Sequence, residues 1–114
     1  MDPLFTPKLP EFPVISGAVT YEPGARSYWL IHQAGQYLLV TSGVGLTGTW
    51  DGKVDVINTG DVTWCPPGVK HWHGATPTTA TTHIAITGTL QDGSNVAWME
   101  EVTDEQYKGG IVKK

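Results

Sequence analysis

Hydrophobic and polar residues alternate over short stretches along most of this chain, and glycine or proline interrupts the alternation repeatedly. A two-residue period places successive side chains on opposite faces and predicts strands. Residues 14–21 form the first predicted strand. Glu22-Pro23-Gly24-Ala25 follows as a turn, with proline presetting one turn angle and glycine relaxing the other. Further strands are predicted over 26–33, 36–41, 44–50, 53–58, 62–65, 71–75, 81–90 and 96–102. Turn sequences separate them: Ser42-Gly43, Asp51-Gly52, Thr59-Gly60-Asp61, Pro66-Pro67-Gly68 and Asp92-Gly93-Ser94-Asn95. Residues 103–108 read as helix, with Thr103 as N-cap and Asp104 and Glu105 in the first turn. Residues 1–13 hold Pro3, Pro7, Pro10 and Pro13 and read as an extended N-terminal arm. Residues 109–114 read as a tail. Roughly eight or nine short strands at close spacing predict one all-β sandwich or barrel over residues 14–108.

Composition narrows the function classes. The chain has 114 residues, of which 39 % are hydrophobic and 16 % charged, a balance that suits one globular core and opposes disorder. The net charge is −4 and basic residues are not clustered, apart from Lys113 and Lys114 at the end. Phosphate neutralisation needs clustered Lys and Arg, so nucleic-acid binding is not expected. Cys65 is the single cysteine, which excludes an intrachain disulfide. No apolar run approaches the roughly 20 residues of a membrane helix. Met1 to Phe5 lacks the basic start and apolar stretch of a signal peptide, so the expected compartment is the cytoplasm.

The chemistry lies in four histidines: His32, His71, His73 and His83, each within a predicted strand. His71 and His73 share a face, with Trp72 on the other. His32 and Gln36 flank Gln33-Ala34-Gly35, so a hairpin would bring them side by side. Imidazole is the commonest protein metal ligand, and a glutamine carbonyl is a neutral oxygen donor. Several such groups converging on one point would bind a divalent transition metal. Tyr28 has the parity of Leu30 and His32 and reads either as a pocket phenol that donates a proton or as a packing residue. The five tryptophans read as core or interface aromatics, Cys65 as a small buried hydrophobe, and Lys70 as solvent-facing.

Two spaced motifs carry a family resemblance. Gly24, His32, Gln36 and Gly43 match the spacing of the first cupin motif, and Gly60, Pro66, Gly68 and His71 match that of the second. The chain therefore resembles a small cupin over roughly residues 14–107. Leu30 stands where the first motif has its first histidine, Gln36 where it has glutamate, and Ala75 where the second motif has asparagine. The run from Trp64 to Ala75, the segment from Thr82 to Ile86 and the segment from Val102 to Tyr107 resemble one cupin subgroup. It is often linked to carboxymuconolactone decarboxylase-type proteins and includes manganese-dependent bacterial hydroxynitrile lyases; glutamine at position 36 is usual there.

The resemblance implies an RmlC-like double-stranded β-helix, or jelly-roll barrel, with one short C-terminal helix. It implies metal binding by His32, Gln36 and His71, with manganese the leading ion and iron, zinc, nickel or copper as alternatives. It places His73 and His83 in the pocket as acid/base groups. Leu30 removes one ligand, which leaves three outcomes: His73 moves in as a ligand, a coordination position stays open, or binding weakens. The expected function is a metal-dependent, non-redox enzyme of the hydroxynitrile lyase or decarboxylase kind, acting on a small organic molecule in a pocket walled by Leu30, Leu38, Val40 and Ile86. A metal-dependent dioxygenase and a non-catalytic small-ligand-binding cupin are the alternatives. Small cupins commonly pair through barrel edges, so a homodimer or larger homo-oligomer is expected. The chain begins near the point where relatives carry an earlier strand, so a shortened form is expected.

Overall fold

The computed structural model describes residues 2–5, 14–90 and 95–112. The elements are β1 (Asp2–Phe5), β2 (Val14–Tyr21), β3 (Leu30–Ile31), β4 (Gln36–Thr49), β5 (Val54–Asn58), β6 (Val62–Cys65), β7 (Lys70–Ala75), β8 (Thr81–Gly88), β9 (Ala97–Trp98) and α1 (Asp104–Val112). All strand pairings are antiparallel, and the two sheets share β4. Its first half pairs with β8 and β6, and β8 continues to β2 and β1. Its second half pairs with β5 and β7, and β7 continues to β3 and β9. This is the jelly-roll barrel with one short helix expected from the sequence.

Several predicted boundaries change. Ser42-Gly43 does not end a strand. The register shifts between Val40 and Ser42, and Gly43 takes φ 76°, so β4 bends from one sheet into the other. A Cβ at Gly43 would also meet the Ala80 carbonyl. The strand predicted over 26–33 is only Leu30–Ile31, and that over 96–102 is only Ala97–Trp98. Asp2–Phe5 of the expected arm is a strand paired with β2, while residues 6–13 and most of the 92–95 turn lie outside the described residues. The helix runs on through Val112.

Pairing parity sends Trp72 to the outside of the second sheet, opposite His71 and His73. There it is buried with Trp29, Leu46, Val102 and Tyr107. The helix holds this cluster down. Thr103 and Gln106 form a capping box: the Gln106 amide donates to Thr103 Oγ1 (3.1 Å), and the Thr103 amide donates to Gln106 Oε1 (2.9 Å). Trp29 Nε1 donates to the same Gln106 oxygen at 3.0 Å, and the Tyr107 hydroxyl donates to the Ala75 carbonyl. The main apolar core therefore lies between sheet and helix, which leaves the barrel interior free for polar groups. Trp50, Trp64 and Trp98 are largely exposed. Lys70 points away from the pocket, pairs with Glu100 at 2.8 Å and sits 3.6 Å from the centre of the Trp50 ring. Among the described residues no helix is long and apolar enough to cross a membrane.

Candidate metal centre and pocket

The inward face of β7 carries His71 and His73, that of β8 carries His83, and that of β4 begins with Gln36. His32 follows β3 directly. The tight turn at Gly35 (φ 86°), whose amide donates to the His32 carbonyl at 3.3 Å, returns the chain so that His32 and Gln36 enter the same space. All five side chains are buried. The imidazoles form a connected row, with ring centres 5.1 Å apart for His32 and His71, 5.8 Å for His71 and His73, and 5.2 Å for His73 and His83.

The donor atoms are unpaired. Nε2 of His32, His71, His73 and His83 and Oε1 of Gln36 are all buried with no hydrogen-bond partner among the described residues. Leaving buried polar atoms unsatisfied costs about 1–3 kcal/mol each, so five together mark a site built for something else to bind. The hydrogen bonds on the far sides of these groups set which atoms face inward. His32 Nδ1 donates to the Asn95 carbonyl (3.3 Å) and His71 Nδ1 to the Val69 carbonyl (3.0 Å). A carbonyl only accepts, so each neutral ring presents a bare Nε2 lone pair to the barrel interior. Gln36 Nε2 donates to Thr87 Oγ1 at 2.9 Å, which turns Oε1 inward. These are the donors a divalent transition ion takes. Ligand nitrogens of His32, His71 and His73 also lie within 4.8 Å of one another, a trio able to hold a metal ion.

Burial keeps the rings neutral. It pushes His32 down to about 4, helped by repulsion from His71, and His83 down to about 4. Burial also lowers His71 and takes His73 well below its ordinary value, where His83, His71 and His32 add repulsion. Neutral imidazoles are ready to ligate or to accept a proton. Cys65, buried beside Leu38 and Ala85, is pushed up to about 11 and stays an inert thiol.

The pocket beside these groups has a volume of about 280 Å³. Ile15, Val19, Leu30 and Ala85 give it apolar walls, and Trp98 stands at its edge. Leu30 is fully buried and pairs across β7 with His71, so an apolar side chain does sit next to the donors. Leu38 and Val40, also expected in the wall, are buried but do not line this pocket, and Leu38 packs with Cys65 and Ala85. Ile86, expected in the wall, instead lies on the outer face of β8, because Ala85 and Thr87 take the inner one.

Tyr28 is a second correction. It is 50 % exposed, and its hydroxyl donates to Glu101 at 3.0 Å, away from the pocket. The step from Arg26 to Leu30 is one residue longer than the opposing step from Gly74 to His71, so parity is lost between them. The phenol in the pocket is Tyr21, at the end of β2, with its hydroxyl 3.4 Å from His73 Nδ1. Burial raises it to about 12, so it keeps its proton. Sequence reasoning missed Tyr21 and Thr87. Strand parity carried the signal for both: Tyr21 lies two residues after the wall residue Val19, and Thr87 four after His83.

A two-sheet β-barrel whose interior collects histidines and a glutamine beside an apolar pocket defines a class of small barrels with a group able to hold a metal ion. The chain belongs to the cupin family: residues 17–87 match the cupin domain. It is 54 % identical over 109 residues to an (R)-mandelonitrile lyase of Granulicella tundricola, covering 95 % of this chain and 81 % of the relative. It superposes on a cupin-like protein from Thermotoga maritima with a TM-score of 0.89 at 35 % identity, covering 99 % of this chain and 84 % of that one. A DMSP lyase from Ruegeria pomeroyi shares the fold at a TM-score of 0.66 and 11 % identity, covering 77 % of this chain and 44 % of its own.

Proposed function

We propose that this protein is a metal-dependent, non-redox lyase of the hydroxynitrile lyase kind, breaking or forming the bond between a hydroxyl-bearing carbon and a cyanide carbon. The observation that carries this reading is the gathering of unpartnered Nε2 and Oε1 atoms in the barrel interior beside an apolar pocket that His32, Gln36 and His73 line, and the (R)-mandelonitrile lyase relative supports it. His32, Gln36 and His71 would hold the ion, with manganese first in expectation. When bound, the ion supplies a Lewis acid for the substrate's polar end.

The chain's own groups account for the rest. Ile15, Val19, Leu30 and Ala85 receive the substrate's apolar body and keep water from it. A neutral imidazole, His73 or His83, takes the hydroxyl proton at Nε2. The carbon–carbon bond then breaks, its electron pair leaves on the cyanide carbon, and the hydroxyl carbon becomes a carbonyl. The imidazole returns the proton to cyanide, so atoms and charge balance. The reading includes a homodimer or larger assembly, which sedimentation would measure.

Two measurements test the reading: metal analysis of protein purified without added metal, and cleavage of racemic mandelonitrile followed by chiral chromatography. Manganese, zinc or nickel with enantioselective cleavage is the expected result, and His71→Ala should lose both metal and activity. Iron or copper with substrate-dependent oxygen uptake would replace the lyase with a dioxygenase. No metal and no turnover would leave a binding module.

A further inference from the structure

His73 differs from the two other histidines of the trio in what holds its outer nitrogen. His32 and His71 each donate Nδ1–H to a backbone carbonyl, which can only accept. The neighbour of His73 Nδ1 is the Tyr21 hydroxyl, 3.4 Å away, which can donate. The rest of His73 is tied down. Its amide donates to Ser27 Oγ (3.1 Å), its carbonyl accepts from the Ser27 amide (2.8 Å), and its ring lies against those of Tyr21, His71 and His83. The Ser27 hydroxyl proton is committed to the Tyr28 carbonyl at 2.9 Å. The Tyr21 hydroxyl has two polar neighbours, His73 Nδ1 and Ser27, and the Ser27 oxygen already accepts from the His73 amide. An imidazole nitrogen is a stronger acceptor than a hydroxyl oxygen, and a neutral ring that accepts the phenol proton at Nδ1 carries its own proton on Nε2.

We infer that Tyr21 is a positioning residue that holds His73 as the Nε2–H tautomer, so that His73 points a hydrogen-bond donor into the pocket and stays outside the ligand set. The inference rests on the lyase reading and sharpens it. His32 and His71 present lone pairs, as ligands must, whereas His73 presents a proton. A neutral imidazole N–H stabilises negative charge developing on a departing group by hydrogen bonding, without giving the proton up. Proton exchange with the substrate hydroxyl then falls to His83, the next ring in the row at 5.2 Å from His73, whose Nε2 is also buried and unpaired. One side chain on β2 thereby separates two histidines of similar burial into different roles.

Long-range proton–nitrogen NMR on protein labelled with nitrogen-15 histidine reads tautomers directly. It can be run on metal-free and zinc-loaded protein, without substrate or turnover. His73 is assigned from the signal lost in His73→Gln. The expected pattern is Nε2–H for His73 and Nδ1–H for His32 and His71 in both states. In Tyr21→Phe, the single His73 tautomer should give way to a mixture while the His32 and His71 patterns persist. A wild-type His73 that carries its proton on Nδ1 overturns the inference, because its Nε2 would then offer a lone pair as those of His32 and His71 do. An unchanged His73 tautomer in a folded Tyr21→Phe also overturns it. The wild-type spectrum decides even if that variant does not fold. Absence of mandelonitrile cleavage with the expected tautomers would sink the lyase reading alone; cleavage with the wrong tautomer would sink this inference alone.

Discussion

Acidifying the metal-free protein from pH 7.5 to pH 5 should destabilise it steeply. The folded state holds His32 and His83 at about 4, whereas the unfolded chain returns them to an ordinary histidine value near 6.5. Between those values the unfolded state binds more protons than the folded one, so stability falls as pH falls. The loss begins near pH 6.5 and is complete below about pH 4. For one such histidine it reaches about 2 kcal/mol at pH 5 and about 3 kcal/mol at its limit. The two together give about 4 kcal/mol at pH 5, and the lowered His71 and His73 add in the same direction. The carboxylates with resolved shifts (Asp51, Glu100 and Asp104) are all exposed and all lowered, so on acidification they change stability in the same direction and do not mask the effect. Urea unfolding followed by tryptophan fluorescence after chelation reads the effect. With a slope of about 2 kcal/mol per molar, the midpoint should drop by about 2 M between the two pH values. His83→Gln should remove roughly half of that drop. A midpoint that is unchanged, or that rises on acidification, would refute the claim that these imidazoles are buried neutral.

Three further outcomes follow from single contacts. Thr87→Val removes the acceptor that orients the Gln36 amide, and chelator competition should show metal affinity about 10-fold weaker or worse with little change in unfolding midpoint. Leu30→His, beside His71, should raise metal occupancy of protein purified without added metal; unchanged occupancy would show that Leu30 does not limit the site. Gly48→Ala places a Cβ against the Trp72 indole, which is packed under Trp29 and Tyr107 and has little room to move. Overpacking there should cost about 1–3 kcal/mol in urea unfolding, and a neutral result would mean the cluster yields more readily than its burial implies.

Much of this molecule is legible locally. The two-residue hydrophobic period and the Asp51-Gly52, Thr59-Gly60-Asp61 and Pro66-Pro67-Gly68 turns specify short antiparallel strands, because side-chain alternation and turn angles depend on neighbouring residues alone. The same alternation puts His71 and His73 on one face and Trp72 on the other, the motif spacing brings His32 to Gln36, and the family resemblance adds His83. What depended on remote partners was not legible. The extra residue opposite β7 that turns Tyr28 out exists only as a mismatch between two distant segments. The continuity of β4 through Gly43 shows only once β8 is paired beside it. The proton on each imidazole is the clearest case. The Asn95 and Val69 carbonyls and the Tyr21 hydroxyl meet the rings only after the sheets close. Sequence alone determined which histidines share the barrel interior. The tertiary structure decided which nitrogen of each ring faces the pocket, because that is a hydrogen-bond choice made by the partner on the ring's other side.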